Sequence, residues 1–315
     1  MTKLISTREA YGRALVELGA QYRFFVLDAD LSKATQTCLF HDAYPTRFIN
    51  MGISEADMMT TAAGMASCGN TVVASTFALF ATGRAYEQVR NSIAYTGANV
   101  KIAASHCGVL IGEDGASHQC FEDIGLMRML PGMTVIAPCD QVSTRWALES
   151  ALTTEGPFYL RLNRYPVPSV YQEDAHFQLG RGNIIVQYGS DAVILAHGDL
   201  VCESARAAEI LKSQGIHITV ADIHTIKPLD CELISTLASK TPLVVTAEDH
   251  SVTGGLGSAV SELMAEQNFG ASLYRIGIPD CFGRSGSRAS LASHFGLTGE
   301  SIAAQCLSAL TRHSK

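Results

Sequence analysis

The chain has 315 residues, a formal net charge of −7, 17% charged residues and 47% hydrophobic ones, the balance of a globular protein long enough for two domains. The acidic excess argues against nucleic acid or an anionic membrane as partner, although a few placed Arg or His residues can still receive an anionic substrate. No apolar run reaches membrane-spanning length, MTKLISTREAYG has no signal-peptide core, and the nine cysteines show no metal-type spacing, so a cytoplasmic chain with reduced thiols is expected.

Ser6-Thr-Arg-Glu9 reads as a capping box, and Ala10, Tyr11, Ala14, Leu15 and Leu18 continue it as a helix up to Gly19. Phe24–Asp28 is a buried-strand run closed by Asp28-Ala-Asp30, and Leu31–Thr37 reads as a polar loop. Strands follow at Thr71–Ser75, Val100–Ser105, Met133–Ala137 and Phe158–Leu162. Helices are expected from Phe77 to Tyr95, with Arg84, Glu87 and Arg90 on its polar face, and from an Asp140 cap to Leu152. Tyr165–Leu179 breaks this rhythm with Pro166, Pro168 and polar residues. A second rhythm then sets strands at Ala192–Ala196, His217–Ala221, Leu243–Ala247 and Leu273–Ile276 between amphipathic helices. Strand–helix alternation of this kind predicts an α/β protein with two parallel, doubly wound sheets: residues 1–165, a linker at 166–179, and residues 180–315.

Phe48–Met65 (FINMGISEADMMTTAAGM) places Glu55 at the mouth of a helix packed closely on nearly every side. Asp57 points about 200° away and cannot pair with it. Such an acid either satisfies the helix dipole or serves a site, and its neighbours decide between the two. In an open α/β sheet ligands bind beyond the carboxyl ends of the strands. Those ends carry Asp30, Glu55, Phe77 and Phe80, the loop Ser105–Gln119 and Arg164.

The loop holds His106, Asp114, His118 and glycines 108, 112 and 115. It has no helical HxxxH pair and no cysteine ligand set, so contact with a substrate hydroxyl or phosphate is favoured over a metal. Phe77 and Phe80, three apart, share a helical face that serves either a core or a flat ligand. Arg164 could clamp an anion or sit in an ordinary ion pair. Gly254-Gly-Leu-Gly257 lacks the last glycine of a dinucleotide fingerprint and reads as helix–strand packing or at most a weak anion site. His224–Pro228 and Glu248-Asp-His250 read as polar loops.

Phe48–Met59, Ser75–Phe80, Gly112–Gln119 and Pro131-Gly-Met-Thr resemble the pyrimidine-binding domain of transketolases. Ile226–Asp230, Glu248–His250 and Gly254–Gly257 resemble the C-terminal domain of that superfamily. The likeness covers essentially the whole chain and is closest to the C-terminal subunits of split bacterial transketolases. It implies thiamine diphosphate held between two chains. Glu55 would match the glutamate that bonds the aminopyrimidine, in a dry setting that favours the neutral acid, and Phe77 and Phe80 the aromatic pocket. Asp30 would match a cofactor-contacting aspartate, and His106, Asp114, His118 and Arg164 the sugar- and phosphate-contacting positions, with His118 nearest the reacting carbons.

Gly83 stands where full-length transketolases often carry a third pocket aromatic, and no GDG motif occurs. The resemblance therefore implies that Mg²⁺ (or Ca²⁺) and the diphosphate are held by an N-terminal subunit carrying that motif, in an α2β2 assembly, with no metal ligand from this chain. The implied reaction moves a two-carbon ketol unit from a ketose (phosphate) to an aldose (phosphate). The alternatives are the β subunit of a 2-oxoacid dehydrogenase decarboxylase and half of a deoxyxylulose-phosphate-synthase-like enzyme.

Overall fold

In the computed structural model, which describes residues 4–267 and 269–313, the apolar runs become strands at the centre of two sheets. In chain order these are β1 (Leu4–Ile5), β2 (Phe25–Asp28), β3 (Phe48–Asn50), β4 (Val72–Phe77), β5 (Val100–Ser105), β6 (Thr134–Ile136) and β7 (Phe158–Arg161). They continue with β8 (Val167–Pro168), β9 (Asn183–Gln187), β10 (Ala192–Ala196), β11 (Ile218–Asp222), β12 (Thr225–Lys227), β13 (Leu243–Ser251) and β14 (Ser272–Ile278). The first sheet has the order β12-β6-β7-β5-β4-β2-β3 and the second β14-β13-β10-β11-β9. Every residue of β4, β5 and β10 is buried, as in sheets covered by helices on both faces.

β1 and β8 form a separate antiparallel pair, and within the two sheets the pairing is parallel except at two edges. β9 runs antiparallel to β11, and β12 antiparallel to β6. Through β12, part of the His224–Pro228 segment read as a loop, the second half of the chain supplies an edge strand to the first sheet. One apolar cluster also spans both halves, joining Leu27, Met58 and Val72 to Val193, Val244 and Leu256. Among the described residues no helix is long and apolar enough to cross a membrane.

Several local expectations are corrected. Leu31–Thr37 contains a helical turn, Ser32–Thr35, because Asp28 accepts bonds from Leu31 N (2.6 Å), Thr35 Oγ1 (2.7 Å) and Thr37 Oγ1 (2.8 Å) and winds the chain around its carboxylate. β4 runs on to Phe77, so Phe77 is a strand residue and shares no helix with Phe80. The helix expected beyond it is broken into π-helical turns at Phe80–Arg84 and Val89–Ala94 around the α-turn Tyr86–Gln88.

Residues 166–179, expected as a linker, make contacts of their own. β8 pairs with β1, Val170 N and Tyr171 N donate to Asp140 Oδ2 (2.9 Å each), and Phe177 stacks on Trp146. Glu248-Asp-His250 is a buried part of β13, not a loop.

The Gly254–Gly257 turn holds no open anion site. Glu248 accepts from Leu256 N and Gly257 N (2.8 Å each), so the start of the helix Leu256–Gln267 is capped by the chain's own carboxylate.

Candidate active site at the strand ends

The carboxyl ends of β3, β2, β4, β5 and β7 lie along one edge of the first sheet and present the candidate residues. Glu55 opens the helix Glu55–Ser67 and is 1% exposed. Its Oε2 accepts a bond from Arg84 Nη1 at 2.9 Å, across from a side chain that is 51% exposed. The setting of this acid is therefore not wholly apolar: the Arg84 guanidinium stands against it.

The π-turn explains this placement. Ala85 N bonds Phe80 O across five residues, so Arg84, four residues on, comes back nearly over Phe80. Its guanidinium carbon lies 4.3 Å from the Phe80 ring centre.

Phe77 and Phe80 stack despite belonging to different elements, with ring centres 5.8 Å apart and planes 17° from parallel. His106 lies on Phe77 at 3.8 Å. His118 meets Phe80 edge-on at 5.6 Å and Phe77 at 6.4 Å. His106 is 3% exposed, sits at φ 59°, and shares Nδ1 with Ser105 Oγ at 2.9 Å. Burial, reinforced by Arg8, Arg164 and His118, pushes its pKa down to about 3. His106 is thus a neutral ring at physiological pH and does not titrate near neutrality. His118 is half-buried, with Nδ1 3.0 Å from Ser117 Oγ.

Arg164 and Asp114 find each other, Nη1 to Oδ2, at 2.9 Å, and Arg164 also donates to Ile111 O. Glu113 accepts from Tyr165 OH at 3.1 Å, so much of the loop is held by its own neighbourhood. Asp30 stands apart. It is exposed at φ 62°, and Oδ1 accepts from Asn50 Nδ2 at 3.0 Å.

The structure thus joins Glu55, Phe80, Phe77, His106 and His118 into one run of contacts through Arg84. The Asp114–Arg164 pair lies on the adjoining loop and Asp30 on the next strand end. Among the described residues no cluster of three or more His, Cys, Asp or Glu side chains could hold a metal ion.

Sequence reasoning placed Arg84 only on a polar helix face and did not find the polar seam behind the site. There Arg161 Nε bonds Asp123 Oδ2 at 2.8 Å, Tyr159 OH bonds the same oxygen at 2.8 Å, and Arg161 Nη2 bonds Asp249 O at 2.8 Å. A lone arginine inside the apolar run FYLRL was the available signal.

Two family models match the chain: "Transketolase, pyrimidine binding domain" over residues 3–169 and "Transketolase, C-terminal domain" over residues 180–302. A protein of Methanocaldococcus jannaschii described as a transketolase C-terminal section is 48% identical over 94% of this chain and 93% of its own length. A 6-deoxy-6-sulfo-D-fructose transketolase subunit of a Clostridium species is 41% identical over 94% of this chain and 91% of that protein. Human transketolase is 38% identical over 95% of this chain but only 48% of its own length. Among solved structures, a split-gene transketolase described as an inactive β4 tetramer superposes with a TM-score of 0.90 at 47% identity, covering 98% of this chain and 99% of that one.

Proposed function

The chain belongs to the transketolase family, and on that premise we propose that it is the C-terminal subunit of a two-subunit, thiamine-diphosphate-dependent transketolase. The observation that carries the proposal is a buried carboxylate, Glu55, beside a stacked and partly open aromatic pair, Phe77–Phe80. A flat heteroaromatic ring with polar edges fits such a place: the ring faces give it area and the carboxylate meets a ring nitrogen. In this reading residues 1–165 form the pyrimidine-binding domain, 166–179 connect, and 180–315 form the C-terminal domain. An N-terminal subunit completes an α2β2 enzyme and contributes the diphosphate and Mg²⁺ site.

When bound, the cofactor supplies the carbon nucleophile that carries a two-carbon ketol unit from ketose to aldose. Glu55 would hold the ring through its carboxyl oxygen Oε2, taking a ring nitrogen in place of its bond to Arg84. Phe77 and Phe80 orient the ring, and Asp30 lies at the same strand-end edge for a further contact. His106, kept neutral by burial, offers an uncharged ring to sugar hydroxyls. His118, with Nδ1 engaged by Ser117, keeps Nε2 for proton exchange at the reacting oxygens. Arg164 and Asp114 receive the sugar's polar chain, with Arg8 adding positive charge for an anionic terminus.

The test is ketol transfer from a ketose to an aldose by this chain mixed with its N-terminal subunit, thiamine diphosphate and Mg²⁺. The mixture turns over and this chain alone does not. Glu55→Ala keeps the circular-dichroism spectrum of the parent and lowers turnover by about 10²–10⁴. An active Glu55→Ala mixture, or turnover by the chain alone, refutes the reading.

A further inference from the structure

Just before its last residue, Ser251, β13 carries three successive titratable residues, all buried. Glu248 caps the helix Leu256–Gln267 through Leu256 N and Gly257 N, and His250 Nε2 accepts from Gly125 N at 3.3 Å. Asp249, between them and 4% exposed, does neither. The pairing of β13 with β14 shifts register between Ala247 and Ser251, an irregularity of the kind that re-aims side chains. Asp249 reaches across to the other half of the chain, where Oδ1 accepts from Val109 N at 2.9 Å and Oδ2 from Leu110 N at 3.3 Å.

The loop is shaped for this carboxylate. His106 and Gly108 both take positive φ, 59° and 79°, which turns neighbouring N–H groups toward one point. A side chain at position 108 would run into the Asp249 carboxylate, so glycine permits an approach no other residue allows. The same end of β13 holds the far root of the loop, where Ser251 N donates to Phe121 O at 2.7 Å. The two roots are tied together by Gly108 N to Cys120 O at 2.6 Å and Gln119 Nε2 to Val109 O at 2.8 Å. Ser285 Oγ, also from the second half, bonds Glu113 O at 2.9 Å near the tip.

We propose that Asp249 is a positioning residue, which holds the loop carrying His106, Asp114 and His118 in register with the Phe77–Phe80 pair from the opposite half of the chain. The proposal rests on the transketolase reading only for what the loop does once it is positioned.

The energetics separate positioning from support of the fold. Burial, with Asp199 adding to it, raises the Asp249 pKa to about 6, against the opposing pull of Arg161 and the two N–H bonds; Arg288 is a further cation in its field. An acid whose folded pKa lies above its unfolded value contributes most to stability below the unfolded value, and loses that contribution as pH rises through about 6. At neutral pH the buried carboxylate is therefore a burden on global stability, while its two bonds fall at the root of the loop, where Val109 and Leu110 pack into the second half's apolar cluster.

The experiment compares amide hydrogen exchange in the full chain with Asp249→Asn, which keeps one acceptor oxygen, and Asp249→Ala, which keeps none. Protection at Val109 and Leu110 falls by about tenfold in Asn and further in Ala, while β4 and β5 amides keep theirs and Tm stays within about 3 °C at pH 7. In the assembled enzyme Asp249→Asn lowers kcat by about tenfold or more, with thiamine diphosphate affinity unchanged. Unchanged exchange at Val109 and Leu110 overturns the proposal. Loss of protection throughout the chain overturns it too, because Asp249 is then a stability residue. Exchange needs no partner, so an unclamped loop in an active transketolase and a clamped loop in an inactive mixture are separate failures.

Discussion

Arg84→Met tests how Glu55 is held. The carboxylate is 1% exposed and its side-chain partner is one guanidinium nitrogen at 2.9 Å. Removing one member of a fully buried pair costs about 3–5 kcal/mol, and leaving an acceptor unsatisfied about 1–3. Arg84 is half in solvent, and Glu55 sits in the first turn of its helix, where the N-terminal dipole already favours an anion. Both reduce the loss, so about 1–3 kcal/mol is expected, a fall in Tm of about 2–6 °C.

Glu55→Gln removes the charge that needs a partner and returns Arg84 to water, at a cost of about 1 kcal/mol or less. In the Glu55→Gln background, Arg84→Met should then cost almost nothing. Urea titrations of the free chain for all four members of the cycle give a coupling of about 1–3 kcal/mol. Coupling below about 0.5 kcal/mol refutes the ion pair as the group that satisfies Glu55.

Lys101 lies fully buried in β5, with Nζ on Thr154 O (2.8 Å) and Gly156 O (2.7 Å), and burial lowers its pKa to about 7. The unfolded chain binds this proton up to the ordinary value near 10.5, so wild-type stability rises from pH 7 toward pH 10 by up to about 1.4 kcal/mol per unit from this residue. Lys101→Met lacks that component, and urea midpoints at pH 7 and 9 should move in parallel for the two proteins only if the argument is wrong. A glycine pair gives opposite signs. Gly255→Ala drives a methyl into the Glu248 carboxylate and His250, and should lose about 1–3 kcal/mol; Gly64→Ala, on an open helix face, should gain about 0.5–1. A Gly255→Ala variant that melts no lower than the parent counts against the packing described around Glu248, and a destabilised Gly64→Ala against an open helix face there.

Much of this was legible because strand runs and the strand-end rule depend on local pattern. FFVLD, TVVAS and VKIAAS announce β2, β4 and β5, and the polar residues after them fall on one edge by topology alone. What escaped depends on distant partners or on a change of helical register. Nothing in FATGR distinguishes a five-residue turn from a four-residue one, yet that difference carries Arg84 over Phe80 to Glu55. β12 is three residues whose strand character comes from pairing with β6, about ninety residues earlier. The loss of titration at His106 is a property of burial, invisible in SHCGVLIG. Glu248 reads as a loop acid until the helix start it caps is placed beside it.

That last case bears on why this chain would need a partner. A diphosphate is bound by convergent N–H groups at helix starts and tight turns, and the chain has such groups. At four such places its own carboxylates already fill them. Glu248 takes Leu256 N and Gly257 N, and Asp249 takes Val109 N and Leu110 N. Asp140 takes Ser143 N, Val170 N and Tyr171 N, and Asp230 takes Gly182 N and Leu233 N. A phosphate entering any of these places would have to expel a carboxylate that is itself buried and has nowhere better to go. Glu55 is different. Its one side-chain partner, Arg84, is half in solvent and can be replaced by a ligand atom that takes over its bond, and the Phe77–Phe80 pair beside it is partly open. The groups suited to a ring are therefore exchangeable and these four sets of N–H groups are committed, which is consistent with the proposed division of the cofactor between two chains.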